Sequence, residues 1–464
     1  MKEKKVFTVT DLGGGDGGKG GVVHKICSIK NAHTVVKVGG AQGSHGVRTA
    51  KGLSFNFSQF GCGTFEGTKT HISNLMVIEP YRFLNEGKLL RLEHGIGNVF
   101  DYVTVDENAI CVTPFHTIAS RLNELARKDK AKGTVGVGVG VAVSDAETHP
   151  GLIIRAGDIG NPCLKIKLEL IREQKIQDLS EIIKNVSDLW PEDQQFAKEQ
   201  IELLNDVDFT DRIVGHFNLM SSLVKIVDTD YLRKKILSED GTVVFESSHG
   251  VLTDRYNGFH PYTTKLRTLP SGSLDLLKSC GYDGEIIKLG VTRAYQIRHG
   301  AGPMVTESPD LLGKLLPGSS KDENRWQGKV RVGALDFVSL RYAINVCGGP
   351  DAFDGLAITW FDQILKNNKW NVCDKYIGVD DQNFFTPEGE IKVRYGQDQN
   401  QIKYQEQLSK KLFSAVPDIT SHEILQGQNQ ESSIDFCKNL FKDKLGVPVK
   451  MISFGPTEED KVSL

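Results

Sequence analysis

The run Leu12-Gly13-Gly14-Gly15-Asp16-Gly17-Gly18-Lys19-Gly20-Gly21 sets one acid and one lysine among glycines. Backbone N–H groups of such a run can converge on an anion, and a helix beginning just after it adds the partial positive charge of its N-terminus. Gly13, four residues, then Gly18 and Lys19 fit a Walker-type phosphate loop, except that Gly20 stands where a Ser or Thr hydroxyl would hold magnesium. If the loop handles a nucleoside triphosphate, another group must hold the metal, and Asp16 is the candidate. The competing reading is a flexible surface loop with one Lys and one Asp. A second polar glycine turn, Gly39-Gly40-Ala41-Gln42-Gly43-Ser44-His45-Gly46, offers His45 as a cation partner for phosphate or as a general acid, against the alternative of a solvent-exposed loop histidine.

The elements around these groups alternate. Residues 6–9 read as a buried strand and 22–29 as a helix, so the first loop lies between them; residues 34–38 form the strand before the second loop. Residues 75–78 and 109–112 are short strands and 116–128 a helix. Residues 133–142 alternate Gly and Val, which suits equally a strand with one bare face or a loop lying close to a ligand. The segment 163–237 turns charged and amphipathic, with helices at 165–175, 179–189 and 193–204, and reads as a helical insertion in a single domain spanning 1–464. Residues 242–245 form a strand that delivers Glu246-Ser247-Ser248-His249-Gly250, and residues 286–293 one that runs toward Arg298-His299-Gly300-Ala301-Gly302-Pro303. Residues 325–331 are a basic cluster that suits an anionic substrate or a solvated loop. A helix at 337–345, a buried strand at 355–361 ending in Asp362, a peripheral hairpin at 371–395 and an edge or final strand at 447–452 complete the chain. This alternation predicts an α/β fold: a large, mostly parallel central sheet flanked by helices, with a P-loop-type nucleotide site at the strand C-terminal ends.

With 39% hydrophobic and 25% charged residues in 464, the composition is that of a globular protein. A net charge of −3 gives no support to nucleic-acid or membrane-surface binding. Eight cysteines are scattered singly with no Cys-x-x-Cys pair, against a zinc knuckle or disulfide scaffold and for a reducing compartment. No signal-like core opens the sequence and no apolar stretch would span a bilayer, so a cytoplasmic location is expected.

The order of these motifs resembles the adenylosuccinate synthetases. These usually carry Gly-Asp-Glu-Gly-Lys-Gly-Lys where this chain has Gly15 to Gly21, and Gly-Gly-His-Asn-Ala-Gly-His-Thr where it has Gly39 to Gly46. The resemblance continues through Gly133-Thr134, Phe245-Glu246, Pro261-Tyr262-Thr263-Thr264, Gly300-Ala301-Gly302-Pro303, Gly328-Lys329-Val330-Arg331, Leu335-Asp336, Thr359-Trp360-Phe361-Asp362 and Ser453-Phe454-Gly455-Pro456. It implies a ligase that forms a C–N bond: a GTP-like triphosphate activates the 6-oxo group of IMP or an analogue, and the amine of aspartate or a related amino acid displaces the phosphate. Asp16 is then the base that takes the purine N1 proton and also ligates Mg2+, the Ser44 carbonyl is a second metal ligand, and His45 is the acid beside the transferring phosphoryl group. Gly15, Gly18, Lys19 and Gly20 would hold phosphate. Gln42, Gly43, Thr134, Val135, His249, Thr264, Lys329 and Arg331 would line the rest of the nucleotide site. Asp362 would read the triphosphate base, flanked by Ser453 and Gly455. A homodimer is implied as well.

The departures cluster at the pockets. Gly17 and Gly21 replace an acid and a lysine, Gln42 an Asn, Val135 a Thr, His249 a Gln, and Trp360 a Lys that packs on guanine. His149 replaces an arginine that reaches across the family's dimer, and residues 325–329 replace the loop that grips aspartate. Phage-associated relatives that make 2-aminoadenylosuccinate from (d)GMP diverge in this way, though some lose the acid that Asp16 retains. The alternatives are therefore a synthetase of that kind using (d)GMP with ATP, or a catalytically silent nucleotide-binding homologue.

Overall fold

Apolar runs without polar alternation need burial on both faces, and a parallel sheet covered by helices supplies it. In strand β1 (Lys4–Asp11), Phe7 and Val9 enter the core shared with helix α1 (Lys19–Lys30), while Val6 joins Val36 and Phe245 on the opposite face. The computed structural model describes residues 4–316, 325–424 and 430–464. Further strands are β2 (Ala32–Gly40), β3 (Lys69–Ile78), β4 (Val103–Asp106), β5 (Lys225–Val227), β6 (Gly241–Gly250), β7 (Glu285–Arg293), β8 (Gly355–Thr359), β9 (Val449–Ser453) and β10 (Lys461–Ser463). They line up as β10-β9-β8-β7-β1-β6-β2-β3-β4-β5, and two short strands, Ile110–Cys111 and Ile154–Arg155, bring the sheet to twelve. Along the main path every pairing is parallel except β9 with β10. This is the large, mostly parallel sheet that the sequence predicts.

β1 sits between β6 and β7. The chain leaves β1 through α1 toward β2 on one side, and later passes from β6 to β7 on the other. Winding reverses about β1, and the crevice outside the strand C-termini at such a point is where open α/β sheets bind ligands. Helices Leu164–Asp178, Pro191–Asn205 and Phe209–Leu223 bury Leu168, Ile171, Leu204, Ile213 and Phe217 against one large core. A second core under β8 and β9 is built around helix Phe337–Val346 with Tyr342, Trp370 and Phe441. Among the described residues no helix is long and apolar enough to cross a membrane.

Several elements differ from the sequence reading. The Gly-Val alternation is neither a strand nor a loop throughout: Val139 begins the helix Val139–Thr148, capped by Gly138 at φ 100°. A Cβ on Gly138 would lie 2.7 Å from the His116 carbonyl carbon, so glycine lets this turn press against helix Pro114–Ala126. β8 stops at Thr359 because Trp360 turns left-handed (φ 58°), which puts Asp362 in the first turn of helix Phe361–Asn367. The hairpin read at 371–395 is not local. Strand Lys369–Ile377 pairs antiparallel with Val416–Glu423, and only the bridge Phe385–Ile391 joins residues nearby. β10 covers β9, which is therefore not the edge.

Lys37 of β2 and Glu246 of β6 are register partners, fully buried, with Nζ 2.7 Å from Oε1. Removing the cation alone, Lys37→Met, leaves an uncompensated buried carboxylate and should cost about 3–5 kcal/mol, read as a fall in the denaturant midpoint. Lys37→Met with Glu246→Gln should recover most of that loss; a double variant no better than the single one refutes the pairing account.

Candidate functional site

The first loop is held from inside by a residue of the strand before it. Asp11, fully buried at the end of β1, accepts the Gly13 N–H at 2.8 Å through Oδ1 and the Gly17 N–H at 2.7 Å through Oδ2. Its Oδ2 also takes Lys19 Nζ at 3.0 Å, and Lys19 donates in turn to the His249 carbonyl at 2.7 Å. Lys19 is thus fixed between β1 and β6, at the head of α1. Gly18 caps that helix at φ 91° without a side-chain partner, which leaves the helix N-terminus to backbone groups alone.

The glycines that depart from the family pattern have steric reasons. A Cβ on Gly17 would stand 2.6 Å from Asp11 Oδ2, and one on Gly21 would meet Lys461 of β10, 2.8 Å from Cε and 3.1 Å from Nζ. A Cβ on Gly20 would stand 2.6 Å from the Gly46 carbonyl oxygen, so glycine lets α1 dock against the second loop. Lys461 is itself buried, donates to the Pro456 and Thr457 carbonyls at 3.1 and 2.6 Å, and is brought down to about 8 by burial.

In the second loop His45 donates Nδ1–H to Glu246 Oε1 at 2.5 Å, and the Cys62 N–H reaches Oε2 at 2.9 Å. Burial would raise Glu246, but Lys37 and these hydrogen bonds outweigh it and hold the carboxylate well below the usual range. Burial, aided by Lys19 and Lys37 and opposed by Glu246, brings His45 down to about 4, so its imidazole is neutral at neutral pH. His45, Cys62 and Glu246 lie close enough together to suggest a metal centre. Lys37 already neutralises the carboxylate, and burial beside Glu246 keeps the thiol protonated, so the group is a hydrogen-bonded network. Ser248 Oγ ties β6 to the second loop by donating to the Gly40 carbonyl at 3.3 Å.

Between the two loops lies His249, left-handed at φ 62°. Burial lowers it to about 4, and Lys19, His45, Asp11 and Asp16 all act on it electrostatically. Its Nε2 is buried without a hydrogen-bond partner. Asp16, at φ 59°, gives its carbonyl to Arg293 Nε at 2.5 Å and its Oδ2 to His299 Nδ1 at 2.5 Å. Of the first loop, Lys19 meets His249 directly, at the histidine's carbonyl.

Most of the remaining candidates have partners of their own. The amides of Lys132, Gly133 and Thr134 all donate to Glu124 Oε1, at 2.7, 2.7 and 3.1 Å, so an internal carboxylate shapes the segment that leads to Val135. The Thr264 N–H donates to the Thr253 carbonyl. Gln42 is half-buried, and its Oε1 has no hydrogen-bond partner. Arg331 spends its fork on the Gly300 and Gly302 carbonyls, at 2.8 and 2.9 Å, and on Glu307 at 2.7 Å; Lys329 lies exposed two residues before it. Arg325 pairs with Asp193 at 2.6 Å and stacks on Phe196 at 4.2 Å, fastening the basic segment to helix Pro191–Asn205. Asp362 takes Gln363 Nε2 and Lys366 Nζ at 2.6 and 2.9 Å. Ser453 Oγ donates to the Gly455 carbonyl, and Arg293 lies 4.3 Å over the Trp360 ring.

Sequence reasoning missed Asp11, Lys37, Arg293 and His299. A charge inside or at the end of an apolar strand was the available signal for the first two, since such a group must find a partner once buried. His299 meets Asp16 only through folding, and no local spacing marks it.

A sequence model of the adenylosuccinate synthetase family matches residues 9–462. The adenylosuccinate synthetase of Chlorobium chlorochromatii (strain CaD3) is 28% identical over 375 residues, 78% of this chain and 78% of that protein. Among solved structures, fully ligated adenylosuccinate synthetase from Plasmodium falciparum aligns with a TM-score of 0.76 at 18% identity, over 99% of each chain. The succinoaminodeoxyadenylate synthetase of cyanophage S-2L, bound to dGMP and dATP, aligns with a TM-score of 0.56 at 14% identity, over 99% of this chain and 95% of that one. At these identities the two structures speak for the fold.

The tight approach at Gly17 makes a direct test. Gly17→Ala should weaken triphosphate binding by about five- to a hundredfold, the equivalent of overpacking by about 1–3 kcal/mol. Gly215→Ala, in helix Phe209–Leu223 where a Cβ meets nothing within 4 Å, should leave binding unchanged. Calorimetric titration with GTP and ATP reads both, and equal behaviour of the two variants overturns the steric account.

Proposed function

Because the chain belongs to the adenylosuccinate synthetase family, ligases that form a carbon–nitrogen bond, we propose that it activates the 6-oxo group of a purine nucleoside monophosphate and joins an amino acid to that carbon. IMP or a close analogue is the acceptor, a GTP-like triphosphate the phosphoryl source, and aspartate or a related acid the amine donor. The reaction has two steps. The purine N1 proton passes to Asp16 as the γ-phosphoryl group is transferred to the 6-oxygen; the amine then attacks C6 and phosphate leaves.

The observation that carries this reading is the buried lysine of the glycine loop: Lys19 Nζ is held by Asp11 Oδ2 at 3.0 Å and by the His249 carbonyl at 2.7 Å, at the head of the helix that follows the loop. Phosphoryl transfer depends mainly on positioning and charge neutralisation, and this group offers both. Lys19 and the amides of the glycine loop hold phosphate, with Gly15, Gly18 and Gly20 letting the backbone approach. His45, oriented by Glu246, stands beside the transferring group. His249, Gln42, Gly43, Thr134, Val135, Thr264, Lys329 and Arg331 border the monophosphate and amino-acid side. Asp362, Ser453 and Gly455 border the triphosphate base.

The oxygen donors suit Mg2+, a hard cation that takes carboxylate and carbonyl ligands, so Asp16 and the Ser44 carbonyl are the residues that would hold it. Bound there, Mg2+ would neutralise charge on the triphosphate. The whole chain, including the helical segment at 163–237, acts as one catalytic unit, and we take it to work in the cytoplasm as a homodimer, which a native-mass measurement checks.

One observation favours a second reading. The Asp362 carboxylate already accepts from Gln363 and Lys366, and Arg293 covers the Trp360 ring. Such an altered base site is compatible with ATP as donor and (d)GMP as acceptor, as in a 2-aminoadenylosuccinate synthetase.

Phosphate release measured with GTP or ATP across IMP, dIMP, GMP and dGMP, each with aspartate, separates the readings. Turnover with IMP or dIMP supports the first, turnover with GMP or dGMP the second, and silence with every combination leaves a nucleotide-binding homologue. In the active combination Asp16→Ala should lower kcat by about a thousandfold or more, at least the middle of the range for loss of one general base, while triphosphate binding stays measurable. EDTA should abolish turnover and added Mg2+ restore it.

A further inference from the structure

The carboxylate of Asp16 is gripped by a side chain that no motif marks. His299 follows the short strand Gln296–Arg298 and opens the loop that runs to Pro303. Its Nδ1 lies 2.5 Å from Asp16 Oδ2, and the two side chains are 20% and 30% exposed. On the other side of the same residue, the Asp16 carbonyl accepts Arg293 Nε–H. Asp16 is thereby fixed at its carbonyl and its carboxylate while its backbone holds a left-handed conformation, φ 59°. Conformations of this kind are unfavourable for non-glycine residues and persist where surrounding contacts over-determine them.

The loop that presents His299 is itself held by charged forks. Arg298 donates to the Ala301 carbonyl from Nε and Nη2, at 3.0 and 2.9 Å, and to the Tyr262 carbonyl at 3.3 Å. Arg331 donates to the Gly300 and Gly302 carbonyls. Burial, with Arg331 nearby, brings Arg298 down to about 10, so it remains a cation at neutral pH. Gly302, at φ 120°, passes so close to Arg298 that a Cβ would stand 2.2 Å from Nη2. Two guanidinium groups thus lock the loop carbonyls, and the histidine ring is delivered from a rigid base.

We propose that His299 is the positioning residue of the Asp16 carboxylate: its Nδ1–H binds Oδ2 and sets the direction in which the carboxylate meets the purine. The proposal rests on the reaction assigned above. In that reaction the purine N1–H bond breaks and the proton forms an O–H bond on Asp16; His299 keeps its own Nδ1 proton throughout and contributes orientation. A carboxylate free to rotate would lose the near-attack geometry, and a misplacement of about 1 Å can cost about a hundredfold in rate.

The test compares the wild type with His299→Ala and His299→Asn, using the nucleotides that the phosphate-release assay identifies. Asn places its Nδ2–H donor near the position of the imidazole Nδ1–H, so it should keep the contact without the ring. His299→Ala should lower kcat about ten- to a hundredfold with KM for the triphosphate unchanged, and His299→Asn should recover most of kcat. Loss in KM alone, or an Asn variant as slow as the Ala variant, overturns the positioning role. A second readout needs no turnover. In full-length protein labelled with 15N-histidine, the resonance that His299→Ala removes should carry a slowly exchanging Nδ1 proton, and Asp16→Ala should abolish that slow exchange. Its absence from the wild type, or its persistence in Asp16→Ala, refutes the contact. A wild-type chain inactive with every nucleotide pair but retaining this signature would sink the assigned reaction and leave the Asp16–His299 pairing standing.

Discussion

The site depends on one carboxylate that water cannot reach. Glu246 lies fully buried on β6, near the middle of the sheet, and an ion there is tolerated only if its partners replace the lost solvation. Lys37 from β2, His45 from the second loop and the Cys62 N–H do so together. The requirement binds structure to chemistry. β2 must lie beside β6 in a register that pairs Lys37 with Glu246, and the second loop must bring His45 inward. One charge therefore aligns two strands, closes a loop and orients the His45 imidazole.

The same region concentrates backbone strain. Asp16, His249 and Trp360 are left-handed without being glycine, and each follows or ends a central strand, β1, β6 and β8. Conformations of this sort collect where a side chain must be aimed against the preference of its backbone. Here each has a partner that explains the aim: Arg293 and His299 hold Asp16, the His249 carbonyl receives Lys19, and Trp360 lies under Arg293. Arg293 touches two of the three, so the first loop and the turn after β8 are mechanically joined.

Much of the architecture was legible because the central strands are buried on both faces and so appear as continuous apolar runs. The loops at 12–21 and 39–46 were legible because glycine and charge mark a phosphate cradle whatever the family. Less local features were not. The strand Lys369–Ile377 looked like half of a hairpin, yet its partner lies beyond the helix Gln399–Leu412. Residues 133–142 showed a period of two because glycines were needed for close approach, not because a strand was forming. His299 became meaningful only once folding set it against Asp16, and that contact has no local signature.

Gly21 carries the widest consequence. The first loop lacks the acid and the second lysine that its family usually writes there, and judged letter by letter it looks degenerate. In space, an anion and a cation still flank it: Asp11 arrives from the strand before and Lys461 from the opposite end of the polypeptide. A charge beside a loop need not come from the loop itself: the sheet strand before it and a strand far along the chain can both bring one there, so a motif judged letter by letter describes less than the folded site holds.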